Sequence, residues 1–168
     1  MTPEIIKTAI LSPCLTWRYE LRRIWDESLP PYVLGGLNPS RADAEIDDMT
    51  VKISVGRARL LGCGSTIHWN PFAFRAKHPK DMKAAADPIG PENDAHIRRI
   101  LAECKARRGI AVVGWGDDGT FWNRDRAVIA MAREAGLALM CLGTTKSRQP
   151  KHPLRISYET PLVQWRAA

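Results

Sequence analysis

The sequence predicts an α/β protein, a three-layer α/β/α sandwich around a four-stranded parallel sheet. Three observations predict it. First, four short apolar runs begin at Tyr32, Thr66, Ile110 and Leu137, with the near-continuous hydrophobicity of strands buried on both faces. Second, the segments between them carry apolar residues at helical spacing. Third, each run stops in a turn rich in Gly, Asn, Asp or Pro. Alternating strands and helices imply parallel pairing with helices on both faces. Periodicity leaves the strand order open.

Taken in order, residues 1–15 are uneven in pattern, with Pro3 and Pro13, and read as a leader lying on the surface. Thr16 to Ser28 reads as a helix. Trp17, Leu21, Ile24 and Trp25 fall on one face, Arg18, Arg22 and Arg23 on the other, and Pro30-Pro31 stops it. The first strand, Tyr32-Val-Leu-Gly-Gly-Leu, closes at Asn38-Pro39. Pro39 stiffens that turn, since proline fixes its own φ and restricts the residue before it. An acidic loop from Arg41 to Asp48 leads into a helix over about Met49 to Leu61, which Asp47 or Asp48 can cap. The second strand, Thr66 to Trp69, delivers Asn70-Pro71-Phe72-Ala-Phe74-Arg75 to its end. The connection from Ala76 to Pro91 is long enough to be functional or mobile. A helix over Pro91 to Arg108, with Ile97, Ile100, Leu101 and Cys104 as its inner stripe, precedes the strand Ile110 to Val113. Then come Gly114-Trp-Gly-Asp-Asp-Gly119, a helix from Phe121 to Ala135 ended by Gly136, and the strand Leu137 to Leu142. A weak segment around Tyr158 to Trp165 finishes the chain. The expected organisation is a single domain: a leader and helix over 1–30, a core over 31–157 and a tail over 158–168.

The composition limits the function classes. The chain has 168 residues, 45% of them hydrophobic and 26% charged, which suits one soluble globular domain. No apolar run approaches the roughly 20 residues of a membrane span, and the N-terminus lacks a secretory signal pattern. Four widely spaced cysteines without a CxxC read as reduced thiols of a cytoplasmic protein. No cofactor and no metal is expected, and the chain is expected to be a monomer. A net charge of +7 suits a polyanionic partner, DNA or a nucleotide.

In a parallel sheet the strand ends share one edge, where ligands bind in such folds. That edge would gather Asn38 and Ser40, Asn70 with Phe72, Phe74 and Arg75, Trp115 and its neighbouring aspartates, and Lys146, Lys151 and His152. A carboxamide can both donate to and accept from a base edge, aromatic rings can stack on its face, and Lys or Arg can hold phosphates. The set suits a nucleobase better than a bare phosphate. The chain lacks a phosphate-binding Gly-x-x-x-x-Gly-Lys-Ser/Thr loop, a dinucleotide fingerprint and a Gly-x-Ser-x-Gly elbow. His68 and His96 read as structural and His78 as solvated, which leaves His152 as the functional histidine.

With these residues in view, the chain resembles the uracil-DNA glycosylase superfamily over roughly residues 31–157. Gly36-Leu-Asn-Pro-Ser40 is similar to the Gly-x-Asn-Pro-Gly motif of its mismatch-specific branch, with Ser40 in place of the last glycine. His152-Pro153-Leu154 is similar to a shortened form of its His-Pro motif. The pattern as a whole, LNPS…NPFAFRA…WG…HPL, resembles still more an uncharacterised bacterial and phage family of unknown function. The superfamily resemblance implies a glycosylase-like α/β fold and hydrolysis of an N-glycosidic bond to a flipped uracil-type or modified pyrimidine base. Asn38 would position the water, with Asp47 or Asp48 as the acid or base that a carboxamide cannot be. Asn70 would read the base beside Gly36 and Trp115, and Phe72 or Phe74, or Trp69 if it faces the cleft, would stack on it. His152 would stabilise charge growing on the leaving base. Ser40, Arg75, Lys146 and Lys151 would meet phosphates, and Leu154 and Arg155 would fill the gap in the duplex. Three rivals remain: an enzyme acting on free nucleotides, a protein that only binds the base, and a metal-dependent hydrolase using Asp47, Asp48, Asp117 and Asp118.

Overall fold

The computed structural model of the chain describes residues 4–167. Seven strands form one sheet: Ile6–Leu11 (β1), Arg18–Ile24 (β2), Pro31–Gly35 (β3), Ser65–Trp69 (β4), Ile110–Val113 (β5), Met140–Cys141 (β6) and Val163–Gln164 (β7). Their order is β1-β2-β4-β3-β5-β6-β7. The four predicted strands are β3 to β6, and each neighbouring pair among them runs parallel. The last is only two residues long, against the predicted Leu137 to Leu142. The sheet extends beyond them: β2 joins β4 antiparallel, β1 joins β2 antiparallel, and β7 joins β6 antiparallel. The expected four-stranded parallel sheet is therefore the middle of a larger mixed one.

The largest correction concerns the first thirty residues. The expected leader holds β1, and the expected helix over 16–28 is the strand β2. Its residues satisfy two periods at once. Trp17, Leu21, Ile24 and Trp25 suit a helix, but Glu20 and Arg22 also alternate with Leu21 and Arg23 across a sheet. Long-range pairing decides for the strand. On one face Arg22 bonds both Glu20 and Glu103, and Arg99 Nη2 donates to Glu20 Oε2 at 2.7 Å. On the other face Arg23, fully buried, donates to Asp47 Oδ1 and to the carbonyls of Asp43 and Ile46. Glu20, Arg22 and Arg23 thus have partners that no isolated helix would offer.

Four α-helices cover the sheet: Met49–Leu60 (α1), Pro79–Ala84 (α2), Asn93–Ala106 (α3) and Arg124–Glu134 (α4), the last preceded by a 3₁₀ turn at Asp117–Asn123. The long connection after Ala76 thus carries the short helix α2. Along β3 the side chains alternate between faces. Val33 packs with Ile97, Leu101 and Val128 of α3 and α4, whereas Tyr32 and Leu34 pack with Ala58 of α1. Helices on both faces are as the alternation implied. No helix of the described residues is long and apolar enough to cross a membrane.

One irregularity positions the site. In the β1–β2 pair, Ile10 faces Glu20 but Leu11 faces Arg18, so Tyr19 is an extra residue in β2. Such a bulge re-aims the side chains beyond it. Tyr19 and Glu20 both turn toward α3, Tyr19 stacking on His96 and Glu20 bonding Arg99. Arg18 is switched to the α1 face, where it donates to the Ala42 carbonyl.

Candidate functional site

A cleft of about 230 Å³ opens where β3 and β4 run out. Its walls come from the Gly36–Ser40 turn, from Asp48, Thr50 and Val51 at the start of α1, from His68, Trp69 and Asn70, from Ala76, Lys77 and Pro79, and from Arg18 and His152. The glycine pair at the end of β3 follows from what β4 puts beside it. A Cβ on Gly35 would lie 2.5 Å from the Trp69 ring, and one on Gly36 would lie 2.8 Å from Asn70 Oδ1. The chain is bare there so that an indole and a carboxamide can lie against the backbone.

Six of the expected site residues line this cleft together: Gly36, Asn38, Ser40, Asp48, Asn70 and His152. Asn38 donates from Nδ2 to the Ala76 carbonyl at 2.9 Å, and Ala76 N returns a bond to the Pro39 carbonyl. This brace ties the first strand end to the loop after the second and leaves Asn38 Oδ1 as an acceptor. Asn70 is buried, and no described residue bonds its carboxamide. Asp48 caps α1 by accepting from Val51 N at 2.9 Å through Oδ1. His152 accepts from Leu154 N at Nδ1, so in the neutral ring the proton sits on Nε2. Protein packed around this ring lowers its pKa, and the Asp48 carboxylate pulls weakly the other way.

Several expected members lie elsewhere. Asp47 does not line the cleft; it is held by Arg23, with Lys7 3.5 Å away. Phe72 is fully buried against Phe121, and Trp115 is 2% exposed in the core with Nε1 donating to Gln149. Phe74 bridges to Trp17. Phe72 and Trp115 are core residues, and Phe74 is half-buried outside the cleft. The expected stacking platform is thus absent among the three; Trp69 lines the cleft but is 1% exposed and packs edge-on against Trp115. Lys146, Lys151, Leu154 and Arg155 are exposed outside it. Arg75 lies in an adjoining groove with Arg41 and Ile46, which shares Ser40, Ala76 and Lys77 with the cleft. Asp117 accepts from Thr145 and Asp118 pairs with Lys83, so the four aspartates of the metal-dependent rival are not gathered. All four cysteines are free, and Cys14 alone is exposed.

Sequence reading missed Arg18, His68 and Lys77. Arg18 was placed on a helix face, and nothing local announces the bulge that turns it inward. His68 was set aside as a strand residue. It pairs in register with Leu21 and Leu34, and burial, reinforced by Arg18 and Arg23, pushes its pKa down to about 3. Burial also lowers the Arg18 pKa to about 10, against the pull of Asp48.

The glycine geometry predicts a selective lesion. Gly36→Ala pushes only the end of the flexible Asn70 side chain, so the thermal midpoint should change by no more than a few degrees. Ligand affinity should fall at least tenfold, because the carboxamide is re-aimed. Calorimetric titration beside a melting curve checks this; unchanged affinity would remove Asn70 from recognition.

Together these features define a mixed α/β protein with a cleft at the carboxyl ends of parallel strands, lined by carboxamides, imidazoles, an arginine, a lysine and a carboxylate. The chain belongs to the family described as Protein of unknown function (DUF1643), which matches residues 18–154 and so contains every residue of the cleft. No curated protein and no solved structure matches the chain.

Proposed function

We propose that the cleft receives a single flat nucleobase and that the protein hydrolyses its N-glycosidic bond, as the resemblance to the uracil-DNA glycosylase superfamily implies. The observation that carries this reading is the meeting of Asn38, Asn70, His152 and Asp48 in one cleft. Its volume is below the roughly 300 Å³ at which pockets for drug-sized ligands begin, which suits one ring rather than a whole dinucleotide. Asn70 offers both a donor and an acceptor to the base edge. His152 offers Nε2–H to an oxygen of the base, where negative charge grows as the C1′–N bond breaks. Asn38 Oδ1 and the second oxygen of Asp48 hold a water. The water oxygen bonds to C1′, one of its protons passes to Asp48, and the base departs with the bonding pair and is then protonated. The adjoining groove, with Arg41, Arg75 and Lys77, suits the phosphates flanking an extruded nucleotide.

The test is incubation with oligonucleotides bearing uracil, hydroxymethyluracil or mismatched bases, followed by alkali to reveal abasic sites, with free nucleotides in parallel. Asp48→Asn is the informative variant, because asparagine caps a helix as well as aspartate does. It should slow base release by about 10²–10⁴-fold while binding persists. Release at the wild-type rate would remove Asp48 from the chemistry, and no release from any substrate would end the hydrolytic reading.

A further inference from the structure

Two buried side chains of the cleft are built for more than a neutral base. Arg18 and His68 are each 5% exposed and both line the cleft. Neither Arg18 Nε nor His68 Nε2 has a hydrogen-bond partner among the described residues. Of the other buried arginines, Arg23 is matched by Asp47 and two loop carbonyls and Arg124 by Asp94 and the Pro71 carbonyl, while Arg57, whose Nε is also unpartnered, gives its Nη groups to three carbonyls and does not line the cleft. Among the described residues Arg18 has one bond, from Nη1 to the Ala42 carbonyl at 2.5 Å, and no carboxylate within ion-pair distance. Asp48 shares the cleft, but its Oδ1 is engaged at the start of α1.

The bulge at Tyr19 sharpens the point. Plain strand alternation would turn Arg18 to the α3 face, where Glu20 and Glu103 already neutralise Arg22. The extra residue diverts it from those carboxylates into the cleft. A guanidinium charge placed there without a partner costs stability unless something occupies it.

We propose that this cleft holds a seat for an anionic oxygen group, a carboxylate or a phosphate monoester carried by the ligand, with Arg18 as its charged donor and His68 as its neutral one. The planar guanidinium fork suits two oxygens of one group. Lys77, Ser40 and Thr50 line the same cleft. The seat goes beyond the base-cleaving reading and does not depend on it. The ligand is then an acidic molecule, either a base bearing a carboxylate or a nucleotide bearing a terminal phosphate.

Binding to the full chain, measured by calorimetry, separates the two sources. Uracil is compared with 5-carboxyuracil, and uridine with uridine 5′-monophosphate, with inorganic phosphate and acetate as minimal probes in thermal-shift assays. At least one acidic probe should bind tenfold or more tightly than its neutral parent, and which one does so names the source. Arg18→Met keeps the chain length and removes the charge. It should abolish that preference while leaving the melting temperature equal or higher, since an unmatched buried charge has gone. Arg18→Lys keeps the charge without the fork and should retain part of the preference, which tests the seat even if the methionine variant folds poorly. The proposal is overturned if none of the four acidic probes shows a gain that depends on Arg18. A failure of the base-release assay alone leaves it standing.

Discussion

Arg23→Ala should lower the unfolding free energy by about 3 kcal/mol, the largest loss expected from truncating one side chain near the site. Arg23 is fully buried, and its guanidinium bonds Asp47 Oδ1 and the carbonyls of Arg22, Asp43 and Ile46. Alanine leaves three carbonyls and a carboxylate without their donor, and each orphaned group carries a desolvation cost. Lys7 stands 3.5 Å from Asp47 and recovers part of that carboxylate's loss. The consequence for function follows from where those carbonyls sit. Those of Asp43 and Ile46, like the Asp47 carboxylate, belong to the 41–48 loop, which leads into Asp48 at the cleft. Denaturant unfolding should show the lowered midpoint, and hydrogen exchange should show faster opening across residues 43–48. Asp47→Asn, which keeps an acceptor for Arg23, should cost less than half as much. A loss below about 1 kcal/mol for Arg23→Ala would mean that the loop is held by its backbone rather than by this side chain.

Acid should destabilise the protein earlier than its carboxylates alone would dictate, and His68 should be the main reason. Its folded pKa of about 3 lies below the ordinary histidine value, chiefly through burial and secondarily through Arg18 and Arg23. The neighbours that face it are Leu21 and Leu34 in the sheet, Arg18 beyond the bulge and Asp48 across the cleft. Below pH 6.5 the unfolded chain takes up a proton here that the folded protein refuses, so stability falls with pH. Between pH 6.5 and 4.5, before most carboxylates titrate, the loss from this residue should be on the order of 2 kcal/mol, since a full unit of slope is worth about 1.36 kcal/mol and the unfolded histidine is already half protonated at the start. The half-buried His96 is also lowered by burial and adds a smaller share of the same sign, whereas His152 is exposed and contributes little. Glu20 and Glu103, held below the usual carboxylate range by Arg22 against the opposing effect of burial, act only at lower pH. His68→Leu should therefore flatten the stability profile over this window. Arg18→Met should soften it in part, by removing the nearest positive charge. Parallel profiles for wild type and His68→Leu would show that the imidazole is not desolvated as the geometry requires.

The parallel middle of the sheet was legible because strands buried on both faces write themselves as unbroken apolar runs. Asn38, Asn70 and His152 could be brought to one edge on paper for a related reason: parallel strands end on the same side. The Asp48 cap was legible too, since capping is a contact between near neighbours in the chain. The stacking rings were misjudged because a residue beside a strand end faces either layer, and the sequence around Phe72 and Trp115 carries no mark of which. The glycine pair at 35 and 36 was read as the small end of a strand. Its reason, the indole and carboxamide across from it, appears only once β4 is laid beside β3.

What the sequence determined by itself was local: which segments are apolar enough to be central strands, where they stop, and which polar groups stand at their ends. What only the tertiary structure decided was non-local. The segment before residue 30 is a strand because β4 offers it an edge and Arg99, Glu103 and Asp47 match its charges. Arg18 belongs to the cleft because one extra residue in its pairing with β1 turns it over. Pairing energies between distant residues, and a register that shifts by a single position, have no counterpart in periodicity, and they brought Arg18 into the cleft.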